Sequence, residues 1–343
     1  MLISEFDYDL PPELIAQEPL TERSASRMLV VDRPAGSFAD RRFADLPSLL
    51  GENDVLVLNN TRVFPARLFG RSATGANVEI FLIKKNGDRS WEALARPARR
   101  LSVGKRIVFS DTLAAEVVGK MPDGKVLVEF ETDGDLDALL DEIGRTPLPP
   151  YIRREASAID NDRERYQTVF ASRRGAIAAP TAGLHFTPDI LEAIQDRDVA
   201  VAEITLHVGY RTFEPVRVED LSGHAVTSET YEISEEIASL LTGAKAKGKR
   251  IVAVGTTTTR ALETNMSKFG GFTAGTHKAD LTITPGYQFK AIDALLTNFH
   301  LPRSSLLVLT STFGGHELIM RAYRHAVAAN YRFYSYGDCM LIV

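Results

Sequence analysis

The sequence predicts an α/β protein in which a larger domain with mostly parallel strands, open or closed like a barrel, is interrupted by a smaller antiparallel β-barrel insert. At 343 residues the chain exceeds what one hydrophobic core usually covers, so two domains are expected. Apolar strand-sized segments alternate with helical segments, except in a central stretch of short strands and Gly-containing turns. We place the α/β domain at residues 1–62 and 148–343 and the insert at 63–147.

The first part of the α/β domain contains one helix start and two strands. Asp7–Ile15 carries prolines and carboxylates, which suit the first turn of a helix. Arg27–Val31 and Val55–Leu58 are short apolar runs typical of buried strands.

The insert is predicted from its turns and its alternating runs. Turns such as Asn86–Asp88 and Pro122–Gly124 separate five strand candidates, and strands at this spacing are typical of a small antiparallel barrel. The five runs are Ala76–Ile83, Trp91–Ala95, Arg106–Ser110, Leu113–Val118 and Lys125–Glu131. A short helix at Asp133–Ile143 and the stiff segment Pro147–Pro150 end the insert.

Strands and helices alternate after the insert, which indicates a mostly parallel sheet covered by helices. Caps and periodicity predict helices at Thr187–Arg197, Ser234–Lys247, Thr259–Ser267 and Gly315–Asn330. Apolar runs predict strands at Val199–His207, Ile251–Val254, Ser305–Ser311 and Asp338–Val343.

Composition excludes several classes of protein. The formal net charge of −5 rules out a basic coat for nucleic acid, so any RNA contact must be local. Cys339 is the single cysteine, which excludes a cysteine-held metal site and indicates a small buried hydrophobe in the last strand. No apolar run approaches the roughly 20 residues of a membrane span, and we expect no signal peptide. We therefore expect a cytoplasmic monomer without membrane contact.

One turn has the form of an anion site. The buried run Ile251–Val254 ends at Gly255, and Thr256–Thr259 lead into a helix with Arg260 in its first turn. Backbone N–H groups and the positive end of a helix dipole favour anions at such a place. Thr259 could equally be an ordinary N-cap residue in a turn that binds nothing.

Three histidines adjoin glycine or proline turns. His185 precedes a helix start, His207 follows a strand, and His300 lies just before a proline. A neutral imidazole fixed in this way is available as a general base, although a ring that only bonds a loop carbonyl is the alternative. No pair has the i, i+4 spacing of a helical zinc site, so no metal is expected.

Clusters of basic residues and a group of aromatic residues are candidates for contact with RNA. The insert carries a basic stretch that surrounds Trp91, and a second, more mixed cluster follows it. These cations are Lys84, Lys85, Arg89, Arg96, Arg99, Arg100, Lys105 and Arg106, then Arg153, Arg154, Arg163, Arg165, Arg173 and Arg174. A solvated face is the plainer interpretation of such charge. Tyr331–Asp338 offers rings for stacking or, alternatively, for the core.

A series of segments in a fixed order along the chain carries a more specific signal than any single motif: Phe6–Pro11, Glu18–Leu20, Val57–Val63, Pro65–Leu68, Leu148–Ile152, Asp162–Val169, Ala179–Phe186, Thr205–Gly209, Val254–Thr257, Leu295–Pro302, Arg332–Phe333 and Ser335–Asp338. In these segments the chain resembles the S-adenosylmethionine:tRNA ribosyltransferase-isomerases of queuosine biosynthesis. The resemblance implies transfer and isomerisation of the ribosyl unit of S-adenosylmethionine onto 7-aminomethyl-7-deazaguanine at the tRNA wobble position. The products would be epoxyqueuosine-tRNA, adenine and methionine, with no metal or redox cofactor. It also implies an α/β domain with a β-barrel insert.

That reaction suggests roles for the residues above. The sulfonium acidifies the adjacent ribose carbon, so His185, His207 or His300 is expected to be the base. The substrate carboxylate is expected on the Gly255 turn beside Arg260. The full expected substrate set is Thr181, Gly183, Phe186, Gly255, Thr256, Thr257, Arg260, Asn298 and Asp338. Across the domain boundary, tRNA phosphates are expected on Arg62, Arg67, Arg96, Arg99, Arg153 and Arg165.

Some segments depart from the family pattern. Asn60 stands where the family usually has Asp, His277–Tyr287 lacks the usual tryptophan, and Gly209–Phe213 replaces a more compact glycine turn. Two other functions stay open at this point. One is a metal-free α/β enzyme for a small anionic metabolite, and the other is an RNA-binding protein without catalysis.

Overall fold

The computed structural model describes residues 1–154, 162–210, 216 and 218–343, with the side chain of Arg100 left out. Of the departing segment Gly209–Phe213, only Gly209 and Tyr210 lie within these residues. The described chain forms two compact units. The sheet unit comprises residues 1–62, 150–154 and the described part of 167–343, and the barrel unit comprises 63–149 and 162–166.

Strands and helices are numbered in chain order. The strands are β1 Arg27–Asp32, β2 Ser37–Arg42, β3 Asp54–Asn59, β4 Thr61–Val63, β5 Arg67–Ser72, β6 Asn77–Lys85, β7 Ser90–Arg96, β8 Arg106–Val108, β9 Ala114–Lys120, β10 Val126–Glu131, β11 Arg173–Ala176, β12 Ala200–Leu206, β13 Glu229–Ile233, β14 Arg250–Val254, β15 Gly275–Ala279, β16 Ala294–Asn298 and β17 Cys339–Ile342. The α-helices are α1 Leu136–Ile143, α2 Asp162–Arg165, α3 Pro188–Gln195, α4 Glu235–Ala246, α5 Thr256–Phe269, α6 Ser305–Gly314 and α7 His316–Ala328.

The sheet unit is built on a nine-stranded sheet in the order β15-β13-β12-β3-β14-β16-β17-β1-β2. Its centre, β12-β3-β14-β16, is parallel, as is the pair β17-β1. The pairs β15-β13, β13-β12, β16-β17 and β1-β2 are antiparallel. The predicted parallel strands therefore form the centre, and antiparallel strands complete the sheet on both sides. The order is open, with β15 and β2 at the edges.

Both faces of this sheet are covered. Along β3, Val55 and Val57 belong to one hydrophobic core, whereas Leu56 and Leu58 belong to the other. Successive side chains of a strand point to opposite faces, so two cores require two covering layers. Helices α4 to α7 contribute to the first core and α3 to the second. Cys339 is buried in the second core, as its assignment as a small hydrophobe predicts.

Three sequence predictions in this unit need correction. Ser305–Ser311 is not a strand but lies within α6, because Ser304 caps the helix by accepting from the Leu307 backbone N–H. Helix α5 begins at Thr256 rather than Thr259, so Gly255 is its N-cap residue. Asp7–Ile15 forms a single 3-10 turn at Pro12–Leu14 instead of a helix.

The barrel unit contains the predicted antiparallel barrel, closed in the order β10-β7-β6-β5-β8-β9. Gly70 allows β5 and β8 to approach closely, since a Cβ there would lie 2.6 Å from the Val108 carbonyl oxygen. The helix predicted at Asp133–Ile143 is α1, and the Asp135 side chain caps it through the Asp137 N–H.

Candidate active site

A pocket opens in the sheet unit at the carboxyl ends of β12, β14 and β16. These three strands belong to the parallel centre of the sheet, where ligands of open α/β sheets usually bind. The space in and in front of the pocket, open solvent at its mouth included, amounts to about 470 Å³. Its lining comprises residues 179–182, Val208, residues 255–257 and 297–300, Leu306, Tyr334 and Ser335.

One wall of the pocket is the N-terminus of α5. Gly255 adopts a φ of 91°, which turns the chain sharply from β14 into the helix. The backbone N–H groups of the first helical turn have no partner within a helix, and they carry the positive end of its dipole. Thr257 lines this wall and is 6% exposed, and its hydroxyl has no hydrogen-bond partner in the described parts of the chain. An anionic group would satisfy these donors.

His300 also lines the pocket and lies two residues after the end of β16. Its Nε2 lies 2.9 Å from the Thr297 hydroxyl, and the Tyr323 hydroxyl accepts from its backbone N–H at 3.0 Å. Its Nδ1 has no hydrogen-bond partner among the described residues. Burial lowers the pKa of His300 from 6.5 to about 3, so the ring is neutral at physiological pH.

His185 does not line the pocket. Its Nδ1 is 2.7 Å from the Ser26 hydroxyl, and its Nε2 is 3.2 Å from Oδ1 of Asn298, which does line the pocket. Burial is the main cause that lowers the pKa of His185 to about 4. Both ring nitrogens therefore face protein partners, and the ring reaches the pocket through Asn298.

His207 follows β12 at the same edge of the sheet but does not line the pocket. Its Nδ1 lies 2.8 Å from the Thr61 hydroxyl. Burial, followed by the nearby Arg173, lowers the pKa of this half-buried ring. A Cβ on Gly175 would lie 2.6 Å from the His207 ring, so the glycine leaves room for it.

Arg260 does not point into the pocket, contrary to the expectation that it accompanies the anion turn. It is 6% exposed and donates to the Glu229 carboxylate at 2.8 Å. It also donates to the carbonyl oxygens of Thr227 and Ala279. These partners on and beside β13 and β15 hold the guanidinium in a buried ion pair, outside the pocket lining.

Three other expected substrate residues have packing or backbone roles in the structure. Gly183 lies against Phe170, because a Cβ there would be 2.8 Å from that ring. Phe186 is fully buried in the second core. Asp338 accepts from the backbone N–H groups of Arg27 and Arg332. The structure thus brings together the remaining expected residues in the pocket: Thr181, Gly255, Thr256, Thr257, Asn298 and His300.

Sequence reasoning missed the part that Tyr334 plays in the pocket. Within the aromatic segment, Tyr331 and Phe333 are fully buried in the first core, whereas Tyr334 lines the pocket. Tyr334 adopts a φ of 75°, an uncommon conformation for a residue with a side chain. Nothing in the sequence predicts that angle, because it depends on contacts with distant residues.

The arginines expected to bind tRNA differ in solvent exposure and in ion pairing. Arg62 and Arg153 are exposed in the sheet unit, and Arg96 and Arg99 are exposed in the barrel unit. Arg67 forms a 3.0 Å ion pair with Glu79. The last member, Arg165, is partly buried.

The described residues contain no group of three or more His, Cys, Asp or Glu side chains arranged to hold a metal ion. None of the helices formed by these residues has the length and apolar character of a membrane span.

Comparison with known proteins confirms the resemblance of the sequence. A family model described as queuosine biosynthesis protein matches residues 3–342. A relative from Syntrophomonas wolfei named S-adenosylmethionine:tRNA ribosyltransferase-isomerase is 52% identical over 99% of this chain and 97% of its own length. A relative of the same name from Trichlorobacter lovleyi is 47% identical over the full length of both chains.

A solved structure gives the same result. The crystal structure of an S-adenosylmethionine tRNA ribosyltransferase from Thermotoga maritima is 38% identical to this chain. It matches with a TM-score of 0.58 over 99% of this chain and 100% of its own. This chain belongs to the queuosine biosynthesis protein family, as one of its S-adenosylmethionine:tRNA ribosyltransferase-isomerases.

Proposed function

We propose that this enzyme transfers the ribosyl moiety of S-adenosylmethionine to 7-aminomethyl-7-deazaguanine at the wobble position of tRNA and isomerises it. The products are epoxyqueuosine-tRNA, adenine and methionine. Membership of the family supports the reaction class. The observation that carries the proposal is the pocket, because it combines the N-terminus of α5, one neutral histidine and apolar walls in a single cavity.

In this proposal S-adenosylmethionine occupies the pocket with its carboxylate at the N-terminus of α5. The backbone amides of the first turn and the Thr257 hydroxyl are the donors that such a carboxylate requires. Leu306, Phe299 and the Tyr334 ring give the adenosine an apolar wall. Arg260 contributes only through the stability of α5, since Glu229 engages it.

We assign the general base to His300 among the three histidines considered. His300 is the histidine of the pocket lining, and no described residue bonds its Nδ1, so this atom can accept a proton in the tautomer whose Nε2 donates to the Thr297 hydroxyl. A neutral imidazole is not repelled by the positive sulfonium, whose charge acidifies the adjacent ribose carbon. Loss of that proton precedes departure of adenine, attack of the substrate amine and release of methionine.

For tRNA we retain the proposed phosphate contacts of Arg62, Arg96, Arg99 and Arg153, which are exposed cations. Arg67 and Arg165 contribute less in this proposal, because a carboxylate pairs with the first and burial limits access to the second. The overall charge of −5 makes such local contacts necessary.

Mass spectrometry of tRNA tests the proposed function. The enzyme is incubated with S-adenosylmethionine and a tRNA that carries 7-aminomethyl-7-deazaguanine, and a tRNA with guanine at the same position is the control. We expect an epoxide-bearing nucleoside in the first tRNA only, with free adenine and methionine in equal amounts. Tight tRNA binding without this product would instead support an RNA-binding protein, and turnover of a small anionic metabolite alone would support the other enzyme class.

A further inference from the structure

We propose that His185 is a positioning residue, which fixes the Asn298 amide and through it the Tyr334 wall of the pocket. The inference rests on the proposed function of this pocket as the S-adenosylmethionine site. Four residues from distant parts of the chain form the connection, namely Ser26, His185, Asn298 and Tyr334.

The direction of each hydrogen bond follows from Asn298. Its Nδ2 donates to the Tyr334 carbonyl at 2.8 Å, so its Oδ1 is the atom 3.2 Å from His185 Nε2. An amide oxygen only accepts, hence Nε2 carries the ring proton. In the neutral ring Nδ1 then accepts, and the Ser26 hydroxyl at 2.7 Å is its donor in place of the longer 3.2 Å bond to the Arg23 carbonyl, because a hydroxyl has one proton to give. Hydrogen bonds therefore run from donor to acceptor in the order Ser26, His185, Asn298 and Tyr334, and each of these groups has a partner.

This arrangement removes His185 from the set of possible bases. Its lone pair at Nδ1 is taken by Ser26, and its other nitrogen carries a proton directed at Asn298. Phe43 packs against the ring at a centroid distance of 5.2 Å on the core side. The pocket lining includes Asn298 and Tyr334 but not His185, so the ring influences a ligand only through these neighbours.

Tyr334 needs the support that this chain of bonds supplies. Its φ of 75° is unfavourable for a residue with a Cβ and persists where surrounding contacts hold it. Its N–H donates to the Phe299 carbonyl at 3.1 Å, and its own carbonyl accepts from Asn298 and from the Gly337 N–H at 2.9 Å. Loss of the Asn298 bond would leave the Tyr334 carbonyl with the Gly337 N–H as its remaining named donor, and would weaken the support of this part of the pocket lining.

Replacement of His185 by Gln, Asn and Ala separates positioning from proton transfer. The Gln amide can place a donor near the former Nε2, whereas the shorter Asn amide cannot, and none of the three is a base. S-adenosylmethionine affinity is measured by calorimetry without tRNA, and kcat is measured with modified tRNA. Thermal melts establish whether each variant is folded. If His185→Ala does not fold, the comparison of His185→Asn with His185→Gln still tests the inference.

We expect His185→Gln to keep its affinity within about threefold of wild type and to keep turning over, because its donor replaces the lost one. His185→Asn and His185→Ala should bind S-adenosylmethionine about tenfold more weakly, as expected for one buried hydrogen bond. Equal loss of kcat in His185→Gln and His185→Ala, with affinity unchanged, would overturn the positioning role in favour of proton transfer. Unchanged affinity and turnover in folded His185→Asn would overturn it as well.

The experiment also separates this inference from the proposed function. A wild-type enzyme that binds no S-adenosylmethionine and leaves the tRNA unmodified overturns both. A wild-type enzyme that binds and reacts, with all His185 variants equally inactive, overturns the positioning role alone.

Discussion

Two sets of buried polar side chains combine similar residue types but face different surroundings. The pocket set is Thr257 and His300, which line the cavity and each keep one atom without a partner among the described residues. The core set is Arg260 and His185, which do not line the cavity and whose hydrogen bonds are directed at Glu229 and at Ser26 and Asn298, although Arg260 Nε also has no partner among the described residues. Burial and a lowered histidine pKa are common to both sets, so neither identifies a reactive group. The direction of the hydrogen bonds does.

The largest effect is expected at His300. Replacement by Gln removes the proposed base without a large change in size, and kcat should fall by about 10² to 10⁴. Affinity for S-adenosylmethionine should change little. His325→Gln, at a histidine on α7 outside the pocket, is the control. Turnover near the wild-type rate in His300→Gln would place the base elsewhere.

The pH profile tests the same residue in the wild-type enzyme. A base is active in its neutral form, which exists above its pKa, and burial lowers the pKa of His300 to about 3. Accordingly kcat/KM should not fall as the pH drops through the usual histidine value of 6.5. A fall with a midpoint near 6.5 would show a base exposed to solvent and would contradict the assignment to His300.

A large effect of another kind is expected at Arg260. Arg260→Ala leaves the Glu229 carboxylate buried without its partner, which should cost about 3–5 kcal/mol in the free energy of unfolding. Chemical denaturation measures this loss. The double variant Arg260→Met with Glu229→Gln should recover most of it, because no buried charge remains. If Arg260→Ala kept the wild-type free energy of unfolding but bound S-adenosylmethionine more weakly, Arg260 would belong to the pocket set instead.

A smaller effect is expected at Thr257. Thr257→Val removes one donor and preserves the shape of the side chain, so the Kd for S-adenosylmethionine should rise about tenfold. Thr259→Val is the matched control, since the Thr259 hydroxyl donates within α5 to the Gly255 carbonyl. Equal effects of the two substitutions on calorimetric affinity would show that Thr257 has no special contact with the ligand.

The smallest effect is expected outside both sets, on an exposed arginine. Arg99→Gln should weaken tRNA binding only a few-fold and reduce the slope of log K against log salt by about 1. Arg324→Gln, an exposed arginine on α7, should leave that slope unchanged. Filter binding over a range of salt concentrations measures both variants, and identical slopes would exclude Arg99 from phosphate contact.

Much of the fold could be predicted because local patterns determine it. Alternating runs with glycine turns predict five of the six barrel strands, β6 to β10, but not β5, and buried apolar runs predict β1, β3 and β14. Helix α6 could not be recognised, because its apolar residues run almost without interruption and a buried helix lacks a periodic pattern. The start of α5 was placed too late because four threonines are weak helix formers.

The site was predictable only as a set of turns. Gly255 and the threonines after it indicate an anion site, and the structure does place them in a pocket. Which histidine faces that pocket depends on tertiary contacts, for example the pairing of His185 with Ser26, 159 residues away along the chain. The left-handed Tyr334 is beyond sequence patterns for the same reason.

A crystal structure with S-adenosylmethionine bound tests the central claim most directly. We predict that the substrate carboxylate lies on the N–H groups at the start of α5 and the Thr257 hydroxyl, with the ribose carbon next to the sulfonium within reach of His300 Nδ1. A nucleoside bound away from residues 255–257 and 297–300 would contradict the assignment of this pocket.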